Sequence, residues 1–305
     1  MNFSVVIPAF NAAESLERAL DSLAIVSKDV EIEVIVIDDA SQDETESVMR
    51  KYVADFRLIY HRNRTNLGAS KSRNLGVEMS SSNAVVFNDC DDESLLNRFT
   101  VHSQHLLNHP NNLSFVSSVK QYGKRQVMYS LLDEENIEVS SNEYGRYILL
   151  GKKPRANVDL HFPCATMAVT KDLFKKLNGF DVNLKRNEDV DFIIRALKAG
   201  SSISTSSAVG VIRHAGSAPH QSASSNLIGE LMLLERYGND YLSRREQKAA
   251  KLWLQSRARY FEKSYNSALK LLLISSIFRP SRTLNSIFTR IPKRITHDIR
   301  NYLSR

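Results

Sequence analysis

The sequence has little cysteine, tryptophan or glycine, and it lacks a long hydrophobic run. Among its 305 residues are two cysteines, Cys90 and Cys164, one tryptophan and 11 glycines. A secreted domain held by disulfides would contain more cysteine, so we expect free thiols in a reducing compartment. The most apolar stretch, Leu271 to Phe278, is far shorter than the roughly 18 residues of a membrane-spanning helix. No basic segment precedes a long apolar run at the N-terminus, so no signal peptide is expected.

Several common catalytic motifs are also absent. The sequence has no G-x-G-x-x-G after its first strand pattern, no G-x-x-x-x-G-K-[ST], no H-E-x-x-H, no C-x-x-C and no G-x-S-x-G. These absences argue against the common dehydrogenases, P-loop NTPases, zinc proteases and serine hydrolases.

The net charge of +7 is unevenly distributed. From residue 244 to the end, 15 Lys or Arg accompany 3 Asp or Glu, a net charge of +12, so the first 243 residues carry −5. Such an asymmetry indicates a polyanionic partner for the basic tail, either an anionic membrane surface or a nucleic acid.

Strand and helix patterns alternate through the first hundred residues. Short apolar, β-branched runs predict strands at Ser4–Ile7, Glu33–Ile37, Phe56–Tyr60 and Ala84–Phe87. Helices are predicted from Leu16 to Leu23 with Asn11 as N-cap, after a capping box at Ser41 to Glu44, and from Ala69 to Met79. This order predicts an α/β fold with a mostly parallel central sheet, flanking helices and right-handed crossovers.

The rest of the chain gives weaker patterns. Strand-like runs at Ser114–Val119 and Ala165–Val169 are followed by a helix pattern at Asp189–Lys198. Residues 127–156 show no clear period, and we interpret them as a loop region. From Leu254 to Leu272, apolar residues recur at steps of four and three, which predicts a basic α-helical C-terminal extension.

Acidic residues follow two strand patterns at their carboxyl ends, where ligands bind in parallel sheets. Asp38 and Asp39 follow the second strand, and Asp89, Asp91 and Asp92 follow the fourth. Carboxylates spaced i, i+2 are suitable ligands for Mg²⁺ or Mn²⁺, which keeps waters and binds substrate phosphates. The alternative is a solvated acidic turn that caps the next helix. The apolar strand before Asp89 and the second acidic strand end favour the cation site.

Six motifs in order resemble the inverting glycosyltransferases of family 2, which have the nucleotide-diphospho-sugar transferase (GT-A type, Rossmann-like) fold. They are Val5-Val-Ile-Pro8-Ala-Phe-Asn11, Val36-Ile-Asp38-Asp39-Ala-Ser41-Gln-Asp43, Asn66-Leu-Gly68 with Ser72-Arg73-Asn74-Leu-Gly76, Phe87-Asn-Asp89-Cys-Asp91-Asp92, Asn178-Gly-Phe180-Asp181 and Glu188-Asp189-Val-Asp191. The resemblance covers roughly residues 1 to 217. It implies a catalytic domain over 1–243, with a nucleotide-binding half at 1–112 and an acceptor-binding half at 113–243, followed by the basic helical region 244–305.

The resemblance implies a binding site for a nucleotide-sugar donor. Asp39 would accept hydrogen bonds from the base or ribose, although Asp38 and Asp39 could instead only flank the helix that follows. Adjacent residues on a strand end point in opposite directions, so at most one of the two should face the site. The other predicted nucleotide-binding residues are Pro8, Phe10, Asn11, Arg73 and Asp89. For Arg73 the alternative is a solvated position in the middle of a helix.

The same resemblance implies a metal site and a catalytic base. Asp89 and Asp91 would hold Mn²⁺ or Mg²⁺, with His214 as a further ligand, and the cation would stabilise the leaving diphosphate. Asp189 would be the base that takes the proton of the acceptor hydroxyl, because inversion needs a single displacement. Glu188 could be the base, a ligand of the acceptor or an acid at the helix N-terminus. Asp191 has Arg195 at i+4 and is predicted to form an exposed ion pair.

Two departures from the family pattern refine these expectations. Ala40 stands where the family often has glycine, and the Q-x-x-R-W motif and membrane spans of chain-extending synthases are missing. Transfer of a single sugar is therefore favoured. Cys90 has no adjacent base and is interpreted as a packed side chain.

Two other functions remain as alternatives. A sugar-1-phosphate nucleotidyltransferase needs a glycine-rich loop with a basic residue after the first strand, and Pro8–Ala13 provides neither. A non-catalytic module that binds membrane or polyanions would not need Asp39, Asp89, Asp91 and Asp189.

The expected partners are a UDP-sugar donor and a glycan or lipid-linked glycan acceptor in surface polysaccharide synthesis. The tail predicts a cytoplasmic protein bound peripherally to the inner face of the cytoplasmic membrane, although it could instead pack on the catalytic body. Nucleic acid is not expected, because the catalytic body offers nothing that reads bases. The donor sugar, the acceptor, the preferred metal and the oligomeric state are left open by the sequence.

Overall fold

The computed structural model describes residues 1–131, 133–137, 139–151, 160–214 and 223–278. The strands are β1 (Phe3–Ala9), β2 (Ile32–Asp38), β3 (Arg57–Arg62), β4 (Ala84–Phe87), β5 (Glu93–Ser94), β6 (Leu113–Tyr122), β7 (Arg125–Tyr129), β8 (Glu134–Ile137), β9 (Met167–Thr170) and β10 (Ile203–His214). The helices are α1 (Leu16–Val26), α2 (Thr45–Lys51), α3 (Ala69–Met79), α4 (Leu96–Asn108), α5 (Ser141–Leu150), α6 (Lys171–Lys176), α7 (Glu188–Lys198), α8 (Ala223–Tyr241), α9 (Arg244–Phe261) and α10 (Tyr265–Phe278).

All the strands in the described part of the chain join one sheet. Its main path runs β3-β2-β1-β4-β9-β6-β10-β5, with β7 beside β6 and β8 beside β10. The strands β1 to β4 pair in parallel, as do β6 and β10, whereas β9 runs antiparallel between β4 and β6. The predicted α/β fold with a mostly parallel sheet is confirmed.

Helices cover both faces of the sheet at β1, which explains why its sequence is apolar without alternation. Val5 and Ile7 lie in one hydrophobic cluster with the leucines of α1. Val6 faces α3, where a Cβ on Gly76 would lie 2.4 Å from Val6 Cγ1. Only glycine allows this close approach, which brings the middle of α3 near the carboxyl ends of β1 and β4.

The four strands predicted in the first hundred residues and the helix α3 form as expected. The two N-caps predicted for α1 and α2 do not form. The N-cap of α1 is Ser15, and Asn11 adopts a left-handed conformation with φ of 51°. The N-cap of α2 is Glu44 without a side-chain bond, so the predicted capping box is wrong. Asn11 and Ser41 instead join the loops after β1 and β2.

The prediction of an irregular loop over residues 127–156 is also wrong. The strands β7 and β8 pair with β6 and β10, and α5 begins after a reciprocal bond between Ser140 and Glu143. Because β7 is exposed on both faces, its sequence has no hydrophobic alternation, and its pairing alone defines it. Residues 132, 138 and 152–156 of that segment lie outside the described residues.

The chain divides into two compact units, Met1–Tyr144 with Lys153–Pro219, and Gly145–Lys152 with His220–Arg305. The first contains the whole sheet. In the second, α9 and α10 pack as an antiparallel pair, because Ser256 Oγ donates to the carbonyl of Ala268 and Ser275 Oγ to that of Ala249. The predicted functional division into 1–112, 113–243 and 244–305 stays a prediction.

The predicted helical extension is present, with one break. Leu254 on α9 and Leu272 on α10 are buried, and the chain reverses at Lys263, whose φ is 60°. Helical structure also starts earlier than expected, with α8. Within the described part of the chain, no helix is long and apolar enough to cross a membrane. Residues 279–305 of the tail lie outside the described residues.

Candidate active site

The site lies where β1, β2 and β4 end side by side. These strands are parallel, so the segments that follow them meet at one edge of the sheet. In the loop after β1, Asn11 Oδ1 accepts from the Gln42 N–H at 2.8 Å, and the Asn11 N–H donates to Ser41 Oγ at 2.9 Å. Phe10 remains 46% exposed and Pro8 is half-buried. Phe10 therefore offers an open ring at this edge, while the Asn11 side chain is engaged within the protein.

Asp38, the last residue of β2, and Asp39 after it are both buried and bonded to the protein itself. Asp38 accepts from the Ser41 N–H and the Tyr60 hydroxyl. Asp39 accepts from the backbone N–H groups of Leu67 and Gly68 at 2.8 and 2.7 Å. The Asn63 amide makes a third bond to Asp39, at 2.8 Å. Asp39 therefore fixes the loop that leads into α3, and its nucleotide-binding role stays a prediction.

Ala40 adopts a backbone conformation that favours glycine. Ala40 has a φ of 62°, in the left-handed region that glycine adopts without steric cost. The turn that directs Asp39 inward is therefore strained by about 1 kcal/mol in this chain.

Arg73 is the central cation of the site. Its guanidinium donates to Asp89 Oδ1 at 2.8 Å and to Glu188 Oε1 at 2.7 Å. The Arg73 side chain is only 7% exposed, so it is not a solvated position of α3. It joins the acidic end of β4 to the first residue of α7, which is 115 positions further along the chain.

The loop after β4 holds three carboxylates close together. The Asn88 amide donates to the backbone carbonyls of Asp89 and Asp92 and fixes the loop. Burial and the charge of Asp89 raise the pKa of Asp91. Burial, Asp89 and Asp91 raise the pKa of Asp92 to about 8. Negative charge is thus held here at an energetic cost, which a bound cation would relieve.

Both cysteines are free thiols, as expected. Burial raises the pKa of Cys90 to about 12 and that of Cys164 well above its usual value. Neither side chain is a thiolate at neutral pH, which agrees with a packing role for Cys90.

The two acids at the start of α7 face this region. Asp189 Oδ1 accepts from the Val190 N–H at 2.8 Å, and Oδ2 accepts from the Cys164 N–H at 3.2 Å. Burial raises the pKa of Asp189 and of Glu188. Asp191 pairs with Arg195 as predicted, but it is fully buried, so the predicted exposure is wrong.

A second ionic group, which the sequence analysis did not anticipate, surrounds the end of β10. The His214 ring bonds to Glu93, and the His214 N–H donates to Asp92 Oδ1 at 3.1 Å. Arg213 lies 3.9 Å from Asp92 Oδ2. Arg18 contacts Glu93 and donates to the backbone carbonyl of Asp91. His214 is thus near the acidic loop through Glu93 and Asp92, and its role as a metal ligand stays a prediction.

Arg98 supports the site from inside the core. Its guanidinium donates to the backbone carbonyls of Phe87 and Ala165 and to Asn88 Oδ1. The side chain is fully buried, and burial lowers its pKa to about 9. Gly210 allows β10 to pass close by, because a Cβ there would lie 2.9 Å from Arg98 Cβ. The one sequence signal for this supporting role is the position of Arg98 on the apolar face of α4.

We expect Arg98→Met to lower the free energy of unfolding by about 3–5 kcal/mol, because it leaves several buried acceptors without a donor. Urea denaturation measures this change. Arg50→Met is the matched control, because Arg50 forms only an exposed pair with Glu46 and should matter little. Equal midpoints for the two variants would contradict the supporting role of Arg98.

The described residues do not form a complete metal centre on their own. Among them, no three His, Cys, Asp or Glu side chains are grouped so that they could hold a metal ion. A cation at Asp89 and Asp91 would therefore take its other ligands from water and from a bound phosphate, which is usual for Mg²⁺.

The site thus combines carboxylates at the strand ends, a buried arginine that contacts one of them, and two acids on a neighbouring helix. Residues 4–178 match the family described as Glycosyl transferase family 2. This match covers more than half of the chain, so the protein belongs to glycosyl transferase family 2, as the sequence motifs indicated.

Two curated relatives match the chain over about 200 residues. An uncharacterised glycosyltransferase of Haemophilus influenzae is 27% identical over 65% of this chain and 63% of its own length. The amylovoran biosynthesis glycosyltransferase AmsB of Erwinia amylovora is 28% identical over 66% of this chain and 65% of its own. The chain therefore spans slightly less than two thirds of these relatives.

Solved structures of Staphylococcus aureus TarS, residues 1–349, share the fold. The complex with UDP has a TM-score of 0.61 at 21% identity and covers 93% of this chain and 82% of that one. The complex with UDP-GlcNAc gives the same TM-score and identity. TarS is named a poly(ribitol-phosphate) beta-N-acetylglucosaminyltransferase, and 96 residues of it are 35% identical to this chain.

Proposed function

We propose that this family 2 glycosyltransferase is an inverting enzyme that moves a single sugar from a nucleoside-diphosphate donor to an acceptor hydroxyl. The observation that carries the proposal is the double contact of Arg73 with Asp89 and Glu188. It joins the strand end proposed to bind the donor to the helix that presents the proposed base. Family membership also favours sugar transfer over nucleotidyl transfer.

Asp189 is the proposed catalytic base. Its carboxylate would take the proton of the acceptor hydroxyl as the hydroxyl oxygen forms a bond to the anomeric carbon. The bond from that carbon to the diphosphate oxygen breaks at the same time, and the bonding electrons leave with the nucleoside diphosphate. Because burial raises its pKa, Asp189 would be a stronger base than an exposed aspartate. The N–H groups of Cys164 and Val190 hold its two oxygens.

Asp89 and Asp91 are the proposed ligands of Mn²⁺ or Mg²⁺. The crowded, partly buried carboxylates of this loop fit a divalent cation, since burial and repulsion between the acids raise the pKa of Asp91 and of Asp92. The cation would stabilise the charge that develops on the leaving diphosphate. Arg73 supplies a second positive charge beside Asp89.

The donor is proposed to be a UDP-sugar and the acceptor a glycan or lipid-linked glycan in surface polysaccharide synthesis. TarS binds UDP and UDP-GlcNAc, and AmsB is named for amylovoran biosynthesis, which supports both proposals. An ionised carboxylate has about four acceptor sites, and Asp39 uses three of them. Asp39 could therefore still accept one bond from a base or ribose, and the exposed Phe10 ring could contact the base.

A donor screen tests this function. The protein is incubated with Mn²⁺ and a panel of UDP-, GDP- and dTDP-sugars, and the released nucleoside diphosphate is measured. We expect release from one or a few UDP-sugars by the native chain and much less by Asp189→Asn. If no donor is hydrolysed above the level of the variant, with or without glycan acceptors, the proposed function is wrong.

We also propose that the C-terminal region attaches the enzyme peripherally to an anionic cytoplasmic membrane leaflet. Residues 244–305 carry a net charge of +12. In the second compact unit, Phe261, Tyr265, Leu273 and Ile277 are exposed, and Leu273 and Ile277 lie four residues apart on α10. Basic residues beside exposed apolar side chains are typical of surface attachment, in which each nearby Lys or Arg contributes about 1 kcal/mol.

Flotation with vesicles is expected to recover the full chain with phosphatidylserine-containing vesicles but not with neutral phosphatidylcholine. The interaction is electrostatic in part, so it should weaken as salt rises. Truncation after Phe278 removes seven basic residues and one acidic residue and should strongly reduce recovery. Equal recovery of the full and truncated chains would show that residues 279–305 do not attach the enzyme. Failure of the full chain to float with anionic vesicles would leave the whole region 244–305 with a packing role only.

A further inference from the structure

The β6–β7 hairpin forms an exposed surface that contains basic and aromatic residues. Between Leu113 and Leu131 the sequence has three basic residues and no Asp or Glu. Lys124 and Arg125 are exposed at the turn, and Tyr122 and Tyr129 are 41% and 40% exposed. Among the described residues, no ion pair involves these two basic side chains.

This hairpin surface is continuous with the acidic loop of the active site. Lys120 on β6 pairs with Arg213 on the neighbouring strand β10. The Arg213 guanidinium lies 3.9 Å from Asp92 Oδ2. Tyr129 on β7 pairs with Ser118, two residues before Lys120 on β6, so Tyr129, Lys120 and Arg213 lie on the same face of the sheet. Arg213 therefore lies between Asp92 and the hairpin.

The Lys120 ammonium extends the surface further. It lies over the Tyr122 ring, 5.2 Å from the centroid. An ammonium that rests on an exposed ring keeps its charge available to an anion. Exposed tyrosine rings beside it offer flat apolar faces with a polar edge, which suit the faces and hydroxyls of sugar rings.

The charges next to this surface indicate what it binds. The carboxylates around Asp89 repel anions, so an acceptor with negative charges needs cations just outside the acidic loop to be held there. A neutral acceptor would gain little binding energy from these cations. A nucleic acid could also bind to aromatic rings and cations, but this surface adjoins, through Arg213, the loop where we propose that a sugar is transferred to a hydroxyl.

We infer that the hairpin surface, formed by Lys120, Tyr122, Lys124, Arg125, Tyr129 and Arg213, binds the acceptor, and that this acceptor is a glycan with phosphate or carboxylate groups. This inference rests on the proposed glycosyl transfer and specifies its acceptor class. The tyrosines contact sugar rings, and the cations pair with the anionic groups. The acceptor hydroxyl then reaches the site from the side of β10.

The test compares two variants of the full chain with the same change in charge. Lys124→Glu with Arg125→Glu alters the hairpin, whereas Lys175→Glu with Lys176→Glu alters two exposed lysines of α6. The basic tail is identical in both variants, so it contributes equally to their affinity for anionic ligands. Affinity is measured for yeast phosphomannan, polygalacturonate, neutral yeast mannan and poly(U) RNA.

We expect the hairpin variant to bind phosphomannan or polygalacturonate at least about tenfold more weakly than the α6 variant, with no such difference on neutral mannan. Whichever of the two glycans loses more affinity shows whether the surface prefers phosphate (phosphomannan) or carboxylate (polygalacturonate). Equal affinities of the two variants for both anionic glycans would overturn the inference. A hairpin-dependent affinity that is greatest for poly(U) would overturn the assignment to a glycan.

A second readout separates this inference from the proposed function. Donor hydrolysis without acceptor should be equal in the two variants, because neither changes a residue proposed to bind the donor or the cation or to act as the base, and no acceptor is present for the hairpin to bind. Absence of hydrolysis in both would contradict the proposed function, whereas the difference in glycan binding would still report on the hairpin surface.

Discussion

Replacing Asp189 by asparagine is expected to lower kcat by about 10²- to 10⁴-fold while donor affinity stays nearly unchanged. The amide keeps the shape of the side chain and can still accept the N–H of Cys164 or Val190 through its oxygen. It cannot take a proton from the acceptor. Single-turnover transfer and a separate titration of the donor measure the two effects.

Glu188→Gln is the comparison for this prediction. Glu188 bonds to Arg73, so its loss should weaken the link to Asp89 and affect binding as well as rate. Since burial raises the pKa of Asp189, transfer by the native enzyme should fall on acidification at a higher pH than an exposed aspartate would give. If Asp189→Asn instead impairs donor affinity at unchanged kcat, Asp189 is a binding residue and Glu188 becomes the better candidate for the base.

Asp91→Ala is expected to abolish transfer, with a loss of at least about 10³-fold, and to leave the fold intact. A carboxyl whose pKa is raised by folding destabilises the native state when it is ionised at neutral pH. Its removal should therefore leave the free energy of unfolding unchanged or slightly higher. Transfer assays and urea denaturation of the same preparations test the two parts.

An exposed acid provides the control for Asp91→Ala. Asp172 lies on the surface of α6, and Asp172→Ala should retain transfer. Chelation of divalent cations should reduce transfer by the native chain as much as the Asp91 substitution does. Full activity in excess chelator would contradict the proposed metal dependence.

The sequence predicted the first half of the fold well because its signals there are local. The strands β1 and β2 are continuous apolar runs between turn residues, and α3 is bounded by Gly68 and Ser80. The hairpin strand β7 has no such signal, since both its faces are exposed and only its pairing with β6 defines it. Turn residues such as Asn11 can cap a helix or bridge two loops, and the sequence alone does not distinguish these outcomes.

The candidate site was predictable as a set of acidic strand ends, but its ion pairs were not. Arg73 and Glu188 are 115 positions apart, and their contact depends on how α3 and α7 pack. The burial of Asp191 beside Arg195 likewise reflects tertiary packing, since the i,i+4 spacing predicts the pair and not its exposure. The bonds that Asp39 makes to Leu67 and Gly68 became visible only in the structure.

The most direct test of the account is the melting temperature of the native chain and of Asp91→Ala with UDP, with Mn²⁺ and with both together. A ligand that binds the native state raises the melting temperature, and the rise grows with the logarithm of the ligand concentration above its Kd. We predict a clear rise for the native chain with UDP and Mn²⁺ together, a smaller one with either alone, and little or none for Asp91→Ala. An unchanged melting temperature of the native chain at millimolar UDP and Mn²⁺, or an equal rise in the variant, would contradict a nucleotide-sugar site at the carboxylates that follow β4.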